Sequence, residues 1–146
     1  MAKVKSQRYE KITNPDILID ATNATAGRLA SYVAKQALLG KSIVIVNCNH
    51  AIITGRRSSI INDFKEKRSR GGSSPHGPFY PKSPERIIKR LIRGMVPHRH
   101  YRGLNAMKKI MCYNSVPAEF HSAKKILAGK EKKTTILSLH DLSKEI

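Results

Sequence analysis

The chain reads as an α/β protein, and three stretches predict it. Ile17, Leu18 and Ile19 form a short apolar run between Asp16 and Asp20, the length and composition of a buried strand. Ala26, Leu29, Ala30, Val33 and Ala37 then recur at helical spacing, with Thr25 placed to cap the helix and Gly40 to stop it. Ile43, Val44, Ile45 and Val46 are four β-branched residues in a row, which predicts a second buried strand. Strand, helix and strand within about thirty residues make a βαβ unit, whose two strands lie parallel by default.

The remaining elements follow in order. The polar turn 21–25 joins the first strand to its helix. An apolar step from Ala51 to Ile53 leads into the turn Thr54-Gly55, and a helix is expected over 58–68 with Ile60, Ile61 and Phe64 inward. Residues 69–83 hold three glycines and three prolines among basic and polar residues, so they read as a loop. Ser83-Pro84 opens the next helix, because proline is favoured at the first helical position, and Gly94 is expected to end it. A short helix over 102–109 is expected to pack Leu104 and Met107 inward, and 110–113 reads as a third strand. From Pro117 the chain reads as irregular and basic. Residues 134–137 suit a strand or a turn, and 138–146 a final helical turn or two. The implied organisation is a basic arm (1–15), one α/β domain (16–120) and a basic tail with a short terminal helix (121–146).

A length of 146 residues suits one core. Hydrophobic residues are 40% and aromatics only 5%, so the core should be aliphatic. Lys plus Arg number 28 against 10 Asp plus Glu, a formal charge of +18. Such an excess opposes compaction, and a large polyanion relieves it; nucleic acid is the commonest. The charge is unevenly placed. Residues 16–55 carry three Lys or Arg against two acids, whereas 56–103 carry thirteen against three. A nearly neutral scaffold half therefore meets a cationic half read as the contact surface. Cys48 and Cys112 stand far apart in sequence with no C-x-x-C, which argues against a zinc module and for two buried thiols in a reducing compartment. No segment approaches the ~20 apolar residues of a membrane span, and the start lacks a signal peptide's apolar run. An intracellular, soluble protein is expected.

The helix 84–94 carries the strongest functional signal. At about 100° per residue, Arg86, Lys89, Arg90 and Arg93 fall in one arc, with Ile87, Ile88, Leu91, Ile92 and Met95 opposite. A merely solvated face normally mixes signs, yet Glu85 is the one acid beside four bases. This favours phosphate contact. Arg56 and Arg57, just past the Thr54-Gly55 turn, offer planar guanidiniums suited to phosphates and to stacking on bases, and are expected on the same side as the basic helix.

Other chemistry is poorly supplied. His98 and His100 form H-x-H, with His76 upstream, but further metal ligands are missing nearby. Gly40-Lys41-Ser42 only mimics a phosphate-binding P-loop: Lys35 stands where the first glycine must be, and the strand and helix come in the wrong order. The 20–30 stretch lacks the three glycines of a dinucleotide loop. No G-x-S-x-G or H-E-x-x-H occurs. Asp20, although it follows a strand, reads as a local hydrogen-bond acceptor at the strand end. Two rivals stay open on these grounds: an RNA-modifying or nucleotide-using enzyme, and a free nucleic-acid-binding regulator.

Taken together, several motifs resemble the large-subunit ribosomal protein thirteen family, L-thirteen in bacteria and L-thirteen-a in eukaryotes. They are L-I-R-G-M-V-P-H-R-H-Y-R-G at 91–103, A-G-R-L-A-S at 26–31, I-V-I-V-N-C with I-I-T-G across 43–55, H-G-P-F-Y-P-K-S-P-E-R-I at 76–87 and N-S-V-P at 114–117. They run in order over about 16–120. The resemblance implies a three-layer α/β/α fold around a small, mainly parallel four-stranded sheet. It implies a structural constituent of the large ribosomal subunit that binds large-subunit rRNA, neighbours other large-subunit proteins, and supports assembly and translation. It implies no enzymatic activity, no cofactor, no metal and no homo-oligomer. The location implied is the cytoplasmic ribosome, with assembly in the nucleolus if the source is eukaryotic. Relatives of the eukaryotic type continue into a long basic helix, and this chain stops at Ile146.

The expected RNA contacts are Arg28 and Lys41 on the scaffold half, then Arg56, Arg57, Lys67, Arg68 and Arg70. Arg86, Lys89, Arg90, Arg93 and Gly94 follow on the basic helix, with His98, Arg99, His100, Arg102 and Gly103 beyond it. Most would be phosphate and sugar contacts that read RNA shape. Gly94 and Gly103 are expected to hold backbone conformations that other residues would strain.

Overall fold

A computed structural model describes residues 12–70, 79–128 and 135–146. Residues 1–11 of the expected arm (1–15), the loop centre with His76, and Thr134 with its preceding residues lie outside the described residues. The βαβ unit is present. Strand β1 (Ile17–Asp20) and strand β2 (Ile43–Val46) pair in parallel from Ile17 opposite Ile43 to Asp20 opposite Val46. Helix α1 (Ala26–Leu38) connects them, burying Leu29, Ala30 and Val33 completely. Thr25 takes the N-cap position with extended backbone, but its side chain makes no capping hydrogen bond. Past the helix end Gly40 has φ +95, a left-handed conformation that glycine adopts freely.

Polar clamps fix the register at both ends of the pair. The Asp16 carboxylate accepts from the Ser42 amide (2.7 Å) and hydroxyl (2.8 Å), which ties the two strand entries together. At the exits, Asp20 Oδ1 accepts from the Thr22 amide (3.0 Å), the Thr22 hydroxyl (2.6 Å) and Asn47 Nδ2 (3.1 Å). Asp20 is thus the local hydrogen-bond acceptor that the sequence suggested.

Strand β3 (Ile52–Thr54) and helix α2 (Arg57–Ser69) come next, then α3 (Pro84–Met95), α4 (Tyr101–Lys108) and β4 (Ile110–Cys112). Two short strands, β5 (Ile126–Leu127) and β6 (Ile136–Ser138), and helix α5 (Leu139–Glu145) close the chain. The main sheet has the order β4-β2-β1-β5, and every pairing in it is parallel. A separate antiparallel pair joins β3 to β6.

Alternation along the strands divides the core. Ile17, Ile19, Ile43, Ile45 and Ile110 join α1, α3 and α5 in the main cluster. Leu18, Val44 and Val46 turn to the other face and pack on Phe120 of a 3-10 helix, Ala118–Phe120. This mixed α/β architecture, a four-stranded parallel sheet with five α-helices among the described residues, agrees with the expected three-layer class.

Several local expectations need correction. Helix α3 runs past Gly94 to Met95, so Gly94 is an interior helical residue, not the stop. Neither Gly94 nor Gly103 has positive φ; Gly103 matters instead through close approach to Pro97. Leu104 is 50% exposed, because α4 turns Gly103 and Ala106 inward and leaves Leu104 off that stripe. Met95 is likewise exposed, Ile60 is half-buried, and of the two thiols only Cys48 is fully buried. The region after Pro117 is more regular than expected. It supplies the fourth strand of the main sheet, and Leu139 and Leu142 of α5 are completely buried.

Candidate nucleic-acid interface

Helix α3 is held from both sides. Its inner face buries Ile87, Ile88 and Ile92 with essentially no exposure, an anchorage worth roughly 1.5–3 kcal/mol per side chain. Its first turn carries an otherwise orphaned amide, Glu85 N–H, which donates to Asn114 Oδ1 just beyond β4 (3.1 Å). The outer face therefore projects Arg86, Lys89, Arg90 and Arg93 from a fixed support. All four line one groove of about 580 Å³ with Glu85, floored by Met107, Met111 and Cys112 and lipped by Phe79 and Pro81.

The cations are not equivalent. Arg86 and Arg93 are exposed. Lys89 is half-buried, and loss of hydration pushes its ammonium pKa down, partly offset by the nearby Cys112 thiol. Arg90 lies over Tyr80, with its guanidinium carbon 4.2 Å from the ring centre, and donates to the Phe79 carbonyl (3.2 Å). Tyr80 in turn meets Phe64 of α2 edge to face at 5.6 Å. The loop before α3 is thereby fastened to both helices.

The connection from α3 to α4 is compact. His98 N–H donates to the Val96 carbonyl (2.7 Å), and His100 N–H to the Pro97 carbonyl (3.0 Å). His100 then takes the N-cap position of α4. Arg99, His100 and Arg102 are exposed and His98 half-buried. Among the described residues no group of three or more His, Cys, Asp or Glu is arranged to hold a metal ion. Arg102 lines a second, smaller groove of about 310 Å³ with Tyr101, Asn105 and Lys109, against Ala37, Leu38 and Gly40 at the end of α1. Lys109 Nζ donates to the Gly40 carbonyl there (2.7 Å).

The expected contacts on α2 are differently disposed. Arg56 is exposed at the N-cap and does not line the α3 groove. Arg57 is ion-paired with Glu145 of α5, and this partner raises its pKa further. Lys67 pairs with Asp63 and Arg70 with Glu66, each one helical turn away, while Arg68 donates to the Ile146 carbonyl oxygen. Arg28 and Lys41 are exposed on the scaffold half. Sequence reasoning found the four cations of α3 but missed the apolar residues that turn them into a groove. Phe79 and Pro81 lay in a stretch read only as loop, although an aromatic pair amid glycines and prolines was a usable signal.

Among the described residues, no helix is long and apolar enough to cross a membrane. The model of the family described as Ribosomal protein L13 matches residues 15–119. A Picrophilus torridus protein named large ribosomal subunit protein uL13 is 43% identical over 131 residues, covering 88% of this chain and 94% of its own length. The like-named protein of Thermoplasma volcanium is 42% identical over 132 residues, covering 88% and 96%, and that of Methanosarcina barkeri 46% over 110, covering 75% and 78%. With the cationic groove seated on an α/β scaffold and the family model matching residues 15–119, most of the chain, the chain belongs to the ribosomal protein L13 family.

Proposed function

We propose that this protein is a structural constituent of the large ribosomal subunit, where it binds and stabilises large-subunit rRNA and supports assembly and translation. The observation that carries the reading is α3 itself: four cations and one carboxylate along a single groove, on a helix whose opposite face is locked into the core. A firm cationic ridge suits recognition of RNA shape through its phosphates. The names of the archaeal relatives point the same way. In this reading the protein works as one copy among neighbouring large-subunit proteins, in the cytoplasm, without catalysing a reaction. The archaeal source of those relatives lends no support to a nucleolar step.

The proposal also ranks the expected contacts. Arg86 and Arg93 lead, with Arg99, His100 and Arg102 beyond the helix; the internally paired Arg57, Lys67 and Arg70 contribute less. The test replaces Arg86, Arg90 and Arg93 together with Glu. The variant should keep its helical circular dichroism yet fail to co-sediment with large subunits through a high-salt wash. Normal co-sedimentation would remove α3 as the contact face.

A further inference from the structure

The groove beside α3 has parts that phosphate binding does not require. A ridge that only neutralises phosphates needs no apolar floor and no aromatic lip. Here Met107 and Met111 form the floor, and Phe79 stands at the edge with 73% of its surface exposed. That exposure is not slack in a loose loop: the Phe79 carbonyl accepts from Arg90, whose guanidinium lies over Tyr80, itself packed on Phe64. The backbone that presents this large apolar ring to water is thereby anchored, within a rim that is strongly cationic. The groove volume, about 580 Å³, falls among small-ligand clefts of ~300–1,000 Å³.

We propose that this groove receives one unpaired nucleotide of the ribosomal RNA, its base stacked on Phe79 over the Met107 and Met111 floor and its flanking phosphates on Arg86 and Arg93. Unstacked bases in RNA loops and bulges are characteristically held on aromatic side chains, and the two exposed arginines supply the charge that a nucleotide brings with it. Arg90 is a positioning residue: its guanidinium is already committed to Tyr80 and the Phe79 carbonyl, so it holds the backbone that carries the ring. The charge of the rim separates this occupant from a segment of a neighbouring protein, which would have to be both acidic and apolar. The inference rests on the rRNA-binding reading above and narrows it.

Two measurements test it on the full chain. With a photoreactive benzoylphenylalanine at position 79 in assembled large subunits, irradiation should join the protein to RNA at one unpaired nucleotide. Binding of Phe79→Ala to large-subunit rRNA should weaken about tenfold, the order of a lost base stack, with an unchanged salt slope because no phosphate contact is removed. Phe79→Tyr should restore it. Cross-linking to paired nucleotides or to a neighbouring protein, or a Phe79→Ala affinity within twofold of the parent, would overturn the nucleotide pocket. The broader reading fails by a different result: rRNA binding by the parent protein that is flat with salt.

Discussion

Gly103 lies against the main chain of Pro97: a β-carbon at position 103 would run into the Pro97 carbonyl carbon and oxygen and crowd the His98 amide. Both neighbours are backbone and cannot swing aside. The loop 96–100, which carries His98 and Arg99 and delivers His100 to the cap of α4, is folded over the one place on that helix where a side chain is missing. Gly94, nine residues earlier and also helical, faces open space.

The two glycines should therefore respond oppositely to alanine. Gly103→Ala should cost about 1–3 kcal/mol, as overpacking in a close-packed interior does, and should disturb the amide resonances of 97–100. Gly94→Ala should raise stability by up to about 1 kcal/mol, since alanine loses less backbone entropy in a helix. Thermal unfolding of the isolated variants checks both signs.

The last helix offers a second test. Leu139 and Leu142 of α5 are completely buried in the main cluster, and the Leu139 amide donates to the Ala51 carbonyl (2.9 Å). Leu142→Ala should lower unfolding free energy by about 2–5 kcal/mol. A loss below about 0.5 kcal/mol in a denaturant titration would mean that α5 is not part of the cooperative core.

How much of this was legible in the residues depends on where the signal is local. The βαβ unit was, because β-branched runs and a 3.6-residue apolar repeat need no distant partner to be recognised. The cationic arc of α3 was, because four bases beside one acid is a statement about a single helix. Helix α5 was legible as a short terminal helix, but its place in the core was not: seven residues with Leu139 and Leu142 three apart look the same on a frayed terminus as on a core element, and only the docking against Ala51 decides. Strand β5 has two residues, too few for any periodicity, and exists through its pairing with Ile19 and Asp20. Leu104 failed for the converse reason: the small Gly103 and Ala106, not the large Leu, mark the inward stripe of α4. The groove combined Phe79, Met107 and α3, which no local pattern could bring together.

Asp20 sets an acid limit. Burial alone would raise its pKa, but the hydrogen bonds from Thr22 and Asn47 outweigh it and leave the carboxyl below its ordinary value. A depressed folded-state pKa stabilises above the unfolded value, about 3.9, and that stabilisation disappears as pH falls through the folded value. Asp20→Asn should thus be less stable than the parent at pH 7, by about 1 kcal/mol given how much water reaches the group. The gap should begin to narrow below about pH 4 and vanish as pH falls past the folded-state value. Urea titrations at pH 7 and pH 3 compare the two.

Cys48 should be chemically silent. Its thiol donates to the Ile45 carbonyl (4.0 Å), and the neighbouring Cys112 together with burial pushes its pKa far above the ordinary range, so no thiolate forms at neutral pH. Iodoacetamide on the native protein should label Cys112 slowly and Cys48 only after unfolding. Intact mass followed by peptide mapping reads the order, and equal native labelling of the two would contradict the packing.

The salt dependence of RNA binding can sort the arginines. Each phosphate neutralised by a cation adds about 0.7–0.9 to the slope of log affinity against log salt. Arg86 and Arg93 are exposed in the groove, whereas Arg70 is already paired with Glu66, a partner that raises its pKa. Arg70 would have to give up that pair before it could release a counterion from RNA. Arg86→Gln and Arg93→Gln should therefore each lower the slope by a little under one, and Arg70→Gln by much less. Filter binding to large-subunit rRNA over about 50–200 mM salt resolves the difference. A slope change for Arg70→Gln as large as for Arg86→Gln would show that the α2 cations leave their intramolecular partners when RNA arrives, and that the contact surface spreads well beyond α3.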